Sequence, residues 1–188
     1  AMRAILEKQR VAAYGLAHSE IESLAATAFV VKVQGFLARR DWREVAAGAE
    51  STKLQVPARK FSEAALNRLR ASVLKRGKAS VVSDEARHKL RIALKNLRYG
   101  VDFFADLFGK RKRRLAYKKK MSALQELLGI RNDIVGARTY LKELRKEIDP
   151  EAERTLSFIQ GWYAREAVVA DKAISKSWKK FKRADAFF

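Results

Sequence analysis

This sequence predicts an all-α protein: an antiparallel bundle of about six helices, led by one long N-terminal helical segment. Three observations carry that prediction. Apolar residues recur at three- and four-residue spacing through most of the 188 positions. The two prolines and nine glycines sit between those periodic stretches. No stretch alternates polar and apolar residues as a half-buried strand does.

The elements follow in order. A long amphipathic segment runs from about Arg3 to Ala47, with a break expected near Gly15 or His18. Lys53 to Val56 reads as a linker, and Pro57 opens a second helix that ends before Gly77. Ser83 is placed to N-cap a third helix, with Asp84 and Glu85 favourable against its dipole, and this helix runs to Gly109. A fourth runs from about Lys112 to Leu128 and is closed by Gly129. A fifth starts at Asn132 or Asp133, the latter most simply an N-cap, and ends by Ile148. Asp149-Pro150 then opens a sixth, with Asp as N-cap and Pro in the first turn. Short connections favour antiparallel neighbours. The length suits a single domain over residues 1–188.

The third helix carries the chemistry. Wound at about 100° per residue with His88 as zero, Arg91, Lys95 and Arg98 fall at roughly 300°, 340° and 280°, a narrow basic seam. Leu90, Leu94, Leu97, Val101 and Phe104 lie on the far side. Ile92, Tyr99 and Phe103 border the other edge of the seam, so the cations are expected between two packed faces. The fourth helix repeats the theme. Arg111, Arg114, Lys118 and Gln125 cluster beside an apolar face of Tyr117, Met121, Leu124, Leu127 and Leu128. Two neighbouring helices with facing seams would form one positive trough. Asp102 and Asp106 continue the seam, and the simplest partner for Asp102 is Arg98, four residues back.

Composition points the same way. Lys and Arg number 41 against 21 acids, a net charge of +20. Residues 87–120 alone hold 13 bases and two acids. Self-repulsion of that size is relieved by an anionic partner: nucleic acid, an anionic membrane or a polyphosphate-like polymer. A hydrophobic content of 48% excludes a disordered basic tail. There is no cysteine, hence no disulfide and no thiolate metal site. No apolar run reaches the roughly 20 residues of a membrane span, so a cytoplasmic location is expected. The aromatic and basic C-terminus, Ser177 to Phe188, reads as a fraying tail that packs Trp178 and Phe181.

The run His88-x-x-Arg91-x-x-x-Lys95-x-x-Arg98-Tyr99 resembles the signature helix of CHAD domains, the conserved-histidine α-helical domains. Phe103 to Gly109 is similar to that helix's usual ending, and Leu124 to Asp133 resembles the family's later L-Q-x-x-L-G-x-x-N-D motif. The resemblance is best over residues 57–145. It implies paired helical bundles around a basic cavity that binds inorganic polyphosphate, with some members found on polyphosphate granules. A complete domain of this family carries a second, earlier His/Arg helix. Nothing before Val56 supplies one: His18 lacks an arginine register and Arg39-Arg40 lack the flanking pattern. The expectation is therefore a truncated or divergent member, whose missing lining comes from self-association or a companion half.

The leading expectation is non-catalytic binding of polyphosphate by His88, Arg91, Lys95, Arg98, Tyr99, Arg114, Lys118 and Gln125, with no metal and no cofactor. Arginine suits the task because its planar fork holds two phosphate oxygens, whereas lysine is a movable point charge. Catalysis is poorly supported: there is no P-loop, no G-x-S-x-G, no zinc-ligand spacing and no dense acidic cluster for Mg²⁺. The alternatives are an RNA- or DNA-binding helical protein, which would want exposed aromatics to stack bases, and a granule-associated structural adaptor.

Overall fold

The computed structural model describes residues 2–40, 43, 55–79 and 83–188, among which there are six α-helices and no strand. They belong to two compact units, Ala1–Val56 and Pro57–Phe188.

In the first unit, α1 (Met2–Ile21) runs through both Gly15 and His18, so the expected break lies elsewhere. It falls at Glu22 and Ser23, because the Ser23 hydroxyl accepts from the Ala26 N–H (3.1 Å) and starts a new helix. That helix, α2 (Leu24–Arg39), ends where Arg40 takes a left-handed conformation, φ 59°, and its N–H returns to Phe36 and Leu37 carbonyls. The expected continuation to Ala47 and the Lys53-Leu54 part of the linker lie outside the described residues. Among the described residues no single helix is long and apolar enough to cross a membrane. The α1–α2 pair, bent by 47°, meets that test jointly by length and composition alone.

The second unit is a bundle of α3 (Ala58–Ala79), α4 (Asp84–Phe103), α5 (Arg111–Leu144) and α6 (Pro150–Lys182). Local signals set several ends as expected. Ser83 Oγ accepts from the Ala86 N–H (3.1 Å), and Asp149 Oδ1 accepts from the Ala152 N–H (2.8 Å) with Pro150 in the first turn. Three expectations fail for tertiary reasons. α3 does not stop before Gly77. A Cβ there would sit 2.0 Å from Trp178 Cη2, so this glycine admits the indole of α6 against α3 rather than ending the helix. α4 ends at Phe103, well before Gly109; a 3₁₀ turn (Ala105–Leu107) follows and delivers Phe108 into the core.

Thirdly, the expected fourth and fifth helices are one continuous helix of 34 residues, α5. Gly129 does not close it and Asp133 is no cap. A glycine inside a helix costs only about 1 kcal/mol. Burial of Leu124, Leu128, Ile134, Leu141 and Leu144 on both sides of Gly129 outweighs that cost.

The core joins Leu66 and Val73 of α3, Leu90, Leu94, Leu97 and Val101 of α4, Tyr117, Met121 and Leu124 of α5, and Phe181 of α6. Phe104 is partly buried against it. The C-terminus is packed rather than fraying: Ala184 and Phe187 are buried, and Arg70 Nη2 donates to the Ala184 carbonyl (3.2 Å).

Tyr117 lies among Phe181, Phe187 and Phe188, only 1% exposed. Burial pushes its phenol from the usual 10.0 up to about 12, against the opposing pull of Arg70. Because the folded pKa is the higher one, this contribution to stability is complete below pH 10 and is lost as pH rises toward about 12. A spectrophotometric titration is expected to show one of the five tyrosines ionising late, together with loss of helical dichroism. Ionisation alongside the others in a still-folded protein would contradict this packing.

Candidate functional site

The seam of α4 faces one line of residues on α5, and three contacts give the register. His88 Nδ1–H donates to Asn132 Oδ1 (2.9 Å), Asp102 pairs with Lys118 (2.5 Å), and Asp106 pairs with Arg114 (3.4 Å). Each step forward along α4 and its following turn is matched by an equal step back along α5, so the two segments run antiparallel without slippage. The same register sets Gln125 level with Lys95 and Gly129 level with Arg91. At 100° per residue, Arg114, Lys118, Gln125, Gly129 and Asn132 share one narrow stripe of α5. Nothing lies within 4 Å of where a Gly129 Cβ would be, so the space beside the Arg91 level is open. Gly129 therefore leaves room in the wall where a helix stop had been expected.

The individual positions differ. Arg91, Lys95 and Arg98 are half-buried. Arg98 and Lys95 both approach the Tyr99 ring, at 5.3 and 5.6 Å from its centroid. Arg98 Nε is buried and has no hydrogen-bond partner among the described residues, and neither has Gln125 Oε1. Arg114 and Lys118 are half-buried at the far end of the line, each held by a carboxylate, and Arg114 Nη1 also donates to the Ala105 carbonyl.

Two sequence expectations need correction here. Asp102 pairs with Lys118 on the neighbouring helix rather than with Arg98 on its own, because the α4–α5 register brings Nζ to it. The seam is also not enclosed between two packed faces: Ile92, Tyr99 and Phe103 are 39%, 51% and 83% exposed. One wall is the α5 line; the other edge is open and aromatic.

Around His88 the structure adds residues that the sequence did not single out. On its α5 side lies a pocket of about 240 Å³ lined by Arg87, Leu128, Arg131, Asn132 and Val135 with Asp84 and Glu85. On its α3 side a second pocket, of about 180 Å³, brings Ser72 and Arg76 opposite His88, Lys89 and Asn96. Asn132 uses up Nδ1–H of His88 and so leaves Nε2 for a further partner. Below the first pocket, Arg131 of α5 is buried and bridges two carboxylates, Asp84 of α4 (2.8 Å) and Asp171 of α6 (3.1 Å). Arg87 joins the same pair of acids, at 2.7 Å from Asp84 and 3.7 Å from Asp171. Only the N-D dipeptide within the L-Q-x-x-L-G-x-x-N-D stretch hinted at Asn132. Nothing in the sequence marked Arg76, Arg131 or Asp171, whose partners lie on other helices.

What this arrangement can do chemically follows from its spacing. At about 1.5 Å per residue, Arg91, Lys95 and Arg98 present donors over about 10 Å of one edge, with His88 at its head. Such a row suits an extended anion with repeated oxygens better than a single small one. Among the described residues no group of three or more His, Cys, Asp or Glu side chains could hold a metal ion.

The family model for the CHAD domain matches residues 1–142. The crystal structure of the CHAD domain from the plant Ricinus communis superposes with a TM-score of 0.73 at 26% identity. That match covers 98% of this chain and 61% of the Ricinus chain, so this chain spans about three-fifths of that relative's length. No curated protein gives a significant match.

Proposed function

Because the chain belongs to the CHAD domain family, whose model spans residues 1–142 of it, we propose that it binds inorganic polyphosphate along the trough between α4 and α5, without catalysis. The supporting observation is the one-sided row of His88, Arg91, Lys95 and Arg98 set against the Arg114–Lys118–Gln125 line in a constant antiparallel register. In this reading Arg91 and Arg98 grip phosphate oxygens in pairs, Lys95 adds a single donor, and His88, held by Asn132 through its Nδ1–H, closes the end of the row. Tyr99 holds the Lys95 and Arg98 side chains over its ring and lends its hydroxyl at the open edge. In this reading the two compact units serve one binding domain, and a family match that runs across both supports it. A cytoplasmic site of action at polyphosphate granules agrees with this reading.

Binding of this kind draws on charge-assisted hydrogen bonds and counterion release. In a titration with long polyphosphate, orthophosphate and a single-stranded oligonucleotide, the long polymer is expected to bind tightest and orthophosphate hardly at all. Engagement of four phosphates predicts a loss of about 50-fold between 50 and 200 mM salt. Equal affinity for orthophosphate, or no dependence on salt, would reject the proposal.

A second reading has its own observation. Tyr99 and Phe103 are exposed beside the seam, and exposed aromatics next to cations are what a single-stranded nucleic acid stacks on. Competition decides in the same titration: if short polyphosphate fails to displace a bound oligonucleotide, the nucleic-acid reading prevails.

A further inference from the structure

The trough has two stretches of unlike chemistry. From His88 to Arg98, no carboxylate among the described residues pairs with Arg91, Lys95 or Arg98. From Asp102 onward, each candidate cation is already held by an acid: Lys118 by Asp102 at 2.5 Å, and Arg114 by Asp106 at 3.4 Å. Both acids are accessible, Asp102 at 45% and Asp106 fully. Ion pairs so exposed are weak and exchange readily for a better anion. Arg114 is also tied to the Ala105 carbonyl, so it stays in position when Asp106 swings away.

We infer that Asp102 and Asp106 are built-in competitors that set the chain-length preference of the trough. This rests on the polyphosphate reading above. A short polyphosphate fills the open stretch at Arg91, Lys95 and Arg98 and never meets them. A long one must displace both carboxylates to reach Lys118 and Arg114. The two acids thereby subtract from the affinity of long polymers alone, and occupancy of the second stretch requires enough length to repay the exchange.

The test compares long polyphosphate with tripolyphosphate for the full chain and three variants. Asp102→Asn with Asp106→Asn is expected to tighten the long polymer by between about twofold and about thirtyfold, the range of two exposed ion pairs. Tripolyphosphate affinity should not move. Glu143→Gln with Glu166→Gln removes two acids from other surface pairs, with Lys146 and Arg165, and controls for net charge. It should leave the long-to-short ratio unchanged. Conversely, Arg114→Ala with Lys118→Ala should weaken the long polymer only. The inference is overturned if the aspartate variant leaves the ratio where it was, or if it weakens the long polymer, which would make the acids positioning groups. It is equally overturned if the Arg114/Lys118 variant affects both polymers alike. A wild-type chain that binds neither polymer removes the polyphosphate reading and this inference together; a wild type that binds both with an immovable ratio removes only the inference.

Discussion

Replacing His88, Arg91, Lys95 and Arg98 together by alanine is expected to weaken the binding of long polyphosphate by at least about 100-fold. Charge-assisted hydrogen bonds contribute about 1.5–3 kcal/mol when sheltered and less when half-exposed. Taking about 1 kcal/mol for each of four positions exceeds the roughly 2.7 kcal/mol that a hundredfold change needs. The helix itself should survive. Alanine is the best helix former, none of the four side chains belongs to the buried core, and Leu90, Leu94, Leu97 and Val101 remain to pack α4. What is lost structurally is the His88–Asn132 hydrogen bond and the cation contacts on Tyr99. Circular dichroism should therefore show near-native helix content while calorimetry shows no binding heat. Tight binding retained by a folded variant would take the ligand away from this helix.

The second large effect concerns stability. Arg131→Ala is expected to cost about 2–3 kcal/mol in urea unfolding. Arg131 is the one buried charged side chain among the described residues, at 6% exposure, and it ties α4 to α6 through Asp84 and Asp171. Removing one member of a fully buried ion pair costs about 3–5 kcal/mol because its partner is stranded. Here the figure is lowered, since Asp84 and Asp171 are 44% and 40% exposed and water screens them. Loss of the arginine stem adds a packing defect next to Leu128. Arg131→Lys should recover part of the loss, because an ammonium can meet one carboxylate but cannot span both as a guanidinium does. An unchanged urea midpoint in Arg131→Ala would show that Arg87 alone suffices to neutralise the two acids.

The legible parts of this fold are those written in local chemistry. Ser83 and Asp149-Pro150 start α4 and α6 because a capping oxygen and its target N–H lie three residues apart. The buried and basic faces of α4 were readable because a helix converts spacing into direction. Gly77 and Gly129 were misread, as each looks locally like a stop. One is needed for the Trp178 ring. The other sits in a helix whose burial on both sides overrides a cost of about 1 kcal/mol. The α1–α2 break lies at Ser23 for a local reason instead, since Ser23 offers a cap and neither Gly15 nor His18 does.

The same division runs through the candidate site. Read from the sequence by itself, periodicity and charge determined the helical class and the basic seam, and two short motifs carried the resemblance to the family, because each depends on residues within a few turns of one another. Only the tertiary structure decided that Asn132 holds His88, that Asp102 prefers Lys118 to Arg98, and that Arg131 meets Asp84 and Asp171. Those partners lie 16 to 47 positions apart in the chain and on different helices. Helix geometry says which way a side chain points; the register between helices, set by how their apolar faces pack, says what it meets.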